Sequence, residues 1–174
     1  MRRFQIDLVR TFKGVLLLAG LFACSIAGAA ESALLPARNL AAEATSAVQS
    51  GMPMIVLVSL AGCPHCEIVR RFHLLPLLDD KVAGPKPTIR QIEINGREKM
   101  RDFDGGEITQ AEFVRRHKAK IAPVVFFFGA NGESLAEPLV GSMIPEFYGA
   151  YFDAAINEAI LKLRRARGSP NATR

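Results

Sequence analysis

The 174-residue sequence contains no tryptophan, only two tyrosines and only three cysteines. So few thiols exclude a disulfide-stapled scaffold, and the chain must hold its shape by packing. A hydrophobic content of 49% is enough for one well-packed domain. No internal repeat and no second domain is visible. The longest apolar run, GVLLLAGLFACSIAGAA, falls short of the roughly 20 residues that a membrane-spanning helix needs. A continuous basic stripe is missing as well. The net charge of +5 sits at the two ends, which gives no support to a nucleic-acid-binding face.

The N-terminal end has the layout of a secretory signal. Arg2, Arg3, Arg10 and Lys13 precede the apolar run, and small residues at Ala27-Gly28-Ala29 supply an A-x-A-like site. Cleavage is expected after Ala29 or Ala30, so residues 1–30 leave and the mature protein is exported to the periplasm. An uncleaved anchor or a lipoprotein signal ending at Cys24 (Leu21-Phe22-Ala23-Cys24) are the alternatives, and they provide the only expected membrane attachment. The Arg2-Arg3 pair does not continue as a twin-arginine signal. Those residues hold four Lys or Arg against one Asp, so the remainder falls from +5 to about +2. Lys162, Arg164, Arg165, Arg167 and Arg174 crowd its last thirteen residues, and residues 166–174 read as a basic flexible tail behind a domain spanning 31–165.

With Cys24 gone, Cys63 and Cys66 are the only thiols left, and they stand as Cys63-Pro64-His65-Cys66. Residues 54–60 form a near-continuous apolar run, which suits a strand buried on both faces. Residues from Cys63 onward predict an amphipathic helix presenting Ile68, Val69, Phe72 and Leu75 inward, with Glu67, Arg70 and Arg71 outward, kinked or ended by Pro76. A helix start favours an anion, so the Cys63 thiol ionises more easily there. Cys66 lies about one turn on, close enough to close a disulfide.

The rest of the chain supplies a frame. A helix is expected from Arg38 until Gly51 and Pro53, and a strand over 88–94 after the loop at 81–87. Residues 95–106 read as a polar loop. Thr109 caps a helix running to about Lys118, with Glu112 completing a capping box. A buried strand follows over 124–128, and Asn131-Gly132 predicts a hairpin whose return strand, 135–140, contains Pro138 and so is an edge strand or bulged. From Pro145 a long helix carries Phe147, Tyr151, Ala155, Ile156, Ile160 and Leu163. Alternation in the first half predicts a parallel βαβ unit, and the hairpin closes a mixed sheet covered by helices on both faces.

The C-P-H-C after a buried strand, the βαβ crossover, Ile121-Ala122-Pro123 before a strand and the N-G hairpin together resemble the thioredoxin superfamily. The resemblance covers roughly residues 38–163 and is closest to exported, thioredoxin-related (SoxW-like) thiol–disulfide oxidoreductases. It implies a thioredoxin-like α/β fold and a Cys63–Cys66 dithiol that exchanges disulfides with protein substrates. A second protein would reset the pair, and no cofactor is implied beyond the redox-active disulfide. It also implies that Cys63 is the nucleophile, that Cys66 resolves the mixed disulfide, and that Pro123 is cis and faces the pair. Ala122 then lends its backbone to substrate as an added strand. Without the resemblance, a trans proline opening a strand would be the ordinary reading. Pro64-His65 matches the dipeptide of oxidising DsbA-type enzymes, where His65 favours the thiolate; the alternative is an exposed spacer.

Two departures stand out. The acid that the family carries six residues before the first cysteine is Leu57 here, and Gly62 replaces the tryptophan that often precedes the motif. The 87–123 interval is also too short for the helical domain of DsbA-type enzymes.

Other signals are weaker. The segment from Arg101 to Glu112 fails as a calcium loop, because Arg101, Phe103 and Gly105 fall where ligands must be. His73 and His117 read as surface or packing residues, and no metal site is assigned. A copper-carrying role for Cys63, His65 and Cys66 is the alternative of another class, and a redox-inert binding module is a third. Asn171-Ala172-Thr173 is an incidental sequon.

Overall fold

The computed structural model describes residues 34–81, 83–142 and 145–168. The signal segment, Cys24 and the sequon at Asn171 lie outside the described residues.

A four-stranded mixed sheet forms the centre, in the order β2 (Thr88–Glu93), β1 (Met54–Ser59), β5 (Val124–Phe128), β6 (Leu139–Val140). Strand β1 (Met54–Ser59) is buried along its whole length, as its unbroken apolar run requires. It pairs parallel with β2 (Thr88–Glu93) and antiparallel with β5 (Val124–Phe128). Alternate residues of these strands feed two cores. Ile55, Leu57, Ile89, Val125 and Phe127 face one side, where they meet Val69, Leu74, Phe152, Ile156 and Ala159. Met54, Val56, Val58, Ile92, Phe126 and Phe128 face the other, against Leu40, Ala44, Ala47 and Phe113. Each Leu, Ile or Phe removed from water contributes roughly 1.5–3 kcal/mol, so the two layers hold the sheet between them. The mixed α/β class with helices on both faces is thus the one expected.

The helices differ in detail from the sequence reading. Helix α1 (Leu40–Gln49) starts where the Asn39 side chain accepts from the Ala42 N–H at 3.1 Å. Helix α2 (Pro64–Val69) loses its α period after Val69, passes through a π-helical turn at Arg70–Leu74 and ends as a 3-10 turn at Leu75–Leu78. The wider turn puts Leu74, five residues after Val69, into the core, whereas an α period would have used Phe72. Phe72 is therefore exposed (69%), contrary to its expected inward position. Pro76 does not terminate the segment but sits inside the 3-10 turn.

The expected polar loop at 95–106 holds the first strand and the turn of a short ribbon that ends at Thr109. Strands β3 (Lys99–Arg101) and β4 (Glu107–Thr109) pair antiparallel and send Met100 and Ile108 into the second core. Three-residue strands with one apolar residue each are too short to show a period of two. Helix α3 (Gln110–Arg116) follows, with Thr109 Oγ1 accepting from Glu112 N–H at 3.2 Å. The Glu112 carboxylate turns instead to Arg116 at 2.8 Å.

Strand β6 (Leu139–Val140) is the sheet edge. Ser134 opposes Phe128, while Leu139 opposes Val125. Five residues of the return strand thus match three of β5, and Pro138 lies in the bulge, combining both expected roles. Helix α4 (Pro145–Gly168) buries Tyr148, Phe152, Ala155, Ile156, Ala159 and Leu163. Phe147 and Tyr151 are 60% exposed, so the aromatic stripe is displaced by one residue from the expected one. The helix reaches Gly168, making residues 166–168 helical; Arg167 donates to the carbonyls of Val48 and Gln49.

Candidate functional site

The turn after β1 sets up the site. Gly62 has a φ of +71°, a left-handed conformation that a tryptophan at this position would adopt only with strain. The Cys63 N–H donates to Leu60 O at 3.1 Å, and Cys63 then becomes the N-cap residue of α2, with Pro64 in the first turn. Cys63 and Cys66 are joined as a disulfide with Cα atoms 5.3 Å apart. The Cys63 Sγ also accepts the Cys66 backbone N–H at 3.1 Å. Cys66 is only 1% exposed, whereas Cys63 is half-buried and Pro64 and His65 are exposed. One cysteine is thus partly open to solvent and the other is enclosed in the core.

Pro123 arrives from the other end of the sequence. Val124 is paired with Val58, so Pro123 lies at the C-terminal end of β1, where the cysteine turn begins. The Ala122–Pro123 peptide bond is cis. The Pro123 carbonyl accepts from Gly141 N–H at 2.8 Å, and Gly141 follows β6 with a φ of +74°. Its neighbour Ser142 is buried, and Ser142 Oγ lies 3.0 Å from His65 Nδ1. One short loop therefore contacts both Pro123 and the dipeptide between the cysteines. Sequence reasoning missed Gly141 and Ser142, and no motif marked them.

The missing acid is replaced by nothing of its kind. Leu57 is fully buried in apolar surroundings. Two residues along the same face, buried Ser59 meets a polar network instead. Arg70, expected to point outward, donates to Gln91 Oε1 at 2.9 Å and 3.1 Å, reaches Ser59 Oγ at 3.4 Å and pairs with Glu67. Arg70 is i+4 from Cys66, so the residue that carries this network lies one helical turn along from the buried cysteine.

An apolar groove lies beside Pro123. A cavity of about 410 Å³ is lined by Ile121, Leu139, Val140, Gly141, Tyr148 and Tyr151. Ile121, Val140 and Tyr151 are each half or more exposed, which leaves an apolar rim open to solvent.

The histidines outside the motif are packing residues. His117 lies 4.2 Å from the Phe113 ring and His73 4.8 Å from the Tyr148 ring. Burial holds both below the usual histidine range, against the opposing pull of Asp102 on His117 and of Asp153 on His73. The failed calcium loop is the turn between β3 and β4, where Asp102 pairs with Arg116 at 2.8 Å. Among the described residues no three His, Cys, Asp or Glu side chains gather as a metal site, and no helix is long and apolar enough to cross a membrane.

No family model and no curated protein matches the sequence. Among solved structures, the chain is similar to a thioredoxin-fold protein from Helicobacter pylori. The identity is 13% over 73% of this chain and 93% of that one, with a TM-score of 0.41.

Proposed function

We propose that this protein is an exported thiol–disulfide oxidoreductase that exchanges disulfides with protein substrates in the periplasm through Cys63 and Cys66. The observation that carries the proposal is the asymmetric disulfide at the start of α2: a half-buried Cys63 sulfur that accepts a backbone N–H, and a buried Cys66.

In the oxidised state a substrate thiolate attacks Cys63 Sγ. The Cys63–Cys66 bond breaks, its electron pair leaves on Cys66 Sγ, and a mixed disulfide joins Cys63 to the substrate. A second substrate thiolate then attacks the first substrate sulfur in that mixed disulfide, closing the substrate disulfide and releasing Cys63 as the thiolate. The substrate has lost two electrons and the pair has gained them. In the reducing direction the steps reverse, with Cys66 as the resolving thiolate. The backbone at Ala122, ahead of Pro123, is the segment to which an extended substrate would add as a strand. The apolar rim at Ile121, Val140 and Tyr151 suits a protein rather than a small polar thiol. A second redox protein returns the pair to its starting state, and the disulfide is the only redox group required.

The Pro64-His65 dipeptide is DsbA-like, while Leu57 leaves Cys66 without the family's acid. We therefore place the potential between about −120 mV, a DsbA-like oxidant, and about −270 mV, a thioredoxin-like reductant. The test is reduction of insulin with dithiothreitol, or oxidation of a reduced protein. Activity is expected in the native chain and its loss in Cys63→Ser, while Cys66→Ser should accumulate mixed disulfides at Cys63. Stoichiometric Cu(I) binding with no exchange activity would instead establish a copper carrier and overturn the proposal.

A further inference from the structure

We infer that Ser142 is a positioning residue for His65, and that through it the loop after β6 sets the redox poise of the Cys63–Cys66 pair. The inference rests on the oxidoreductase reading above.

Ser142 is 4% exposed, yet its hydroxyl meets an exposed side chain 77 positions away, at 3.0 Å from His65 Nδ1. No other hydrogen bond of that hydroxyl is present among the described residues. A buried hydroxyl without a partner costs on the order of 1–3 kcal/mol, so this contact is one that the fold retains. Gly141, the residue before Ser142, is anchored by its N–H to Pro123 O at 2.8 Å, and β6 precedes it directly. Ser142 is held by the sheet, and it holds the ring.

Fixing Nδ1 has a chemical consequence. The serine oxygen accepts from a protonated Nδ1, and the same hydroxyl donates to an unprotonated one. Either way the ring plane is set, and Nε2 is the nitrogen left to face the sulfur or an incoming substrate. When the hydroxyl donates to Nδ1, Nε2 carries the ring N–H, and in the reduced pair this donor at the turn between the cysteines stabilises the Cys63 thiolate. Stabilising that thiolate stabilises the dithiol and makes the disulfide a stronger oxidant. Without the hydroxyl the ring is free to turn into solvent, and this stabilisation falls.

The experiment is equilibration of the full mature chain with glutathione, for the native protein, Ser142→Ala, Ser142→Thr, His65→Ala and the Ser142→Ala/His65→Ala double variant. Ser142→Ala is expected to make the pair more reducing, by three- to tenfold in the equilibrium constant, tenfold being about 30 mV. His65→Ala should shift it the same way by at least as much, and Ser142→Thr should return it to within twofold of native. The double variant should match His65→Ala, because a positioning residue has nothing left to position. An unchanged potential in Ser142→Ala overturns the inference, as does a Ser142→Ala shift that persists undiminished in the His65→Ala background. Should Ser142→Ala fail to fold, nitrogen NMR of His65 in the native reduced protein decides. A single fixed tautomer with Nδ1 hydrogen-bonded supports the inference, and a ring averaging between tautomers overturns it. Failure of the native chain to exchange with glutathione at all would overturn the oxidoreductase reading and this inference with it. Exchange at a potential indifferent to Ser142 removes only the inference.

Discussion

Replacing Phe72 and Leu74 by alanine, one at a time, tests whether the helix carrying the disulfide changes its period after Val69. In the structure Leu74 is fully buried among Val69, Phe152 and their neighbours, and Phe72 is 69% exposed. Leu74→Ala should therefore cost about 2–5 kcal/mol, the lost transfer energy plus a cavity. Over a domain of this size that lowers Tm by roughly 6–15 °C. Phe72→Ala should stay within about 0.5 kcal/mol of native, as surface changes do. A helix of regular α period would invert the ranking: Phe72, three residues after Val69, would fill the core and cost about 3–5 kcal/mol on truncation. The assay is urea unfolding of the oxidised protein followed by far-ultraviolet circular dichroism, since the chain offers no tryptophan. The midpoint should shift in Leu74→Ala with an unchanged slope. A Phe72→Ala cost equal to or above that of Leu74→Ala would refute the π-helical turn.

Three further outcomes follow from the same structure. Arg70→Met removes the donors to Gln91 and Ser59 and leaves the buried Ser59 hydroxyl without them; a loss on the order of 1–3 kcal/mol is expected in urea titrations, and a neutral result would show that the network contributes nothing. Acidification should lower stability as pH falls below about 6.5, because the unfolded chain binds protons that His73 and His117, held low by burial, do not accept when folded. His117→Phe should flatten part of that slope in Tm measured across pH 7 to 5, and an unchanged slope would contradict it. Gly96→Ala drives a Cβ into Gln110 Oε1, the atom that accepts from Glu93 N–H at 2.9 Å. Gln110 must then move, and hydrogen exchange at Glu93 should quicken; unaltered protection there would refute the clash.

The sequence by itself determined the frame and the close cysteine pair. The unbroken apolar run of β1 suits a strand covered on both faces, and two thiols at C-x-x-C spacing after it are placed to meet at the start of the next helix. The N-G turn and Pro138 likewise announced an edge strand with a fault in it. These signals are local, carried by residues within a turn or a strand of each other. Tertiary structure decided everything that depends on phase or on distant partners. Two neighbouring aromatic stripes on α4, Phe147 with Tyr151 and Tyr148 with Phe152, are equally periodic, and only the shape of the core selects the second. Phe72 was displaced because a π-helical turn widens the period, and no residue type announces one. Arg70 read as a solvent-facing charge until Ser59 and Gln91 were brought beneath it. Ser142 carried no signal, because its partner stands 77 residues earlier and only the β1–β5 and β5–β6 pairings together bring the two close.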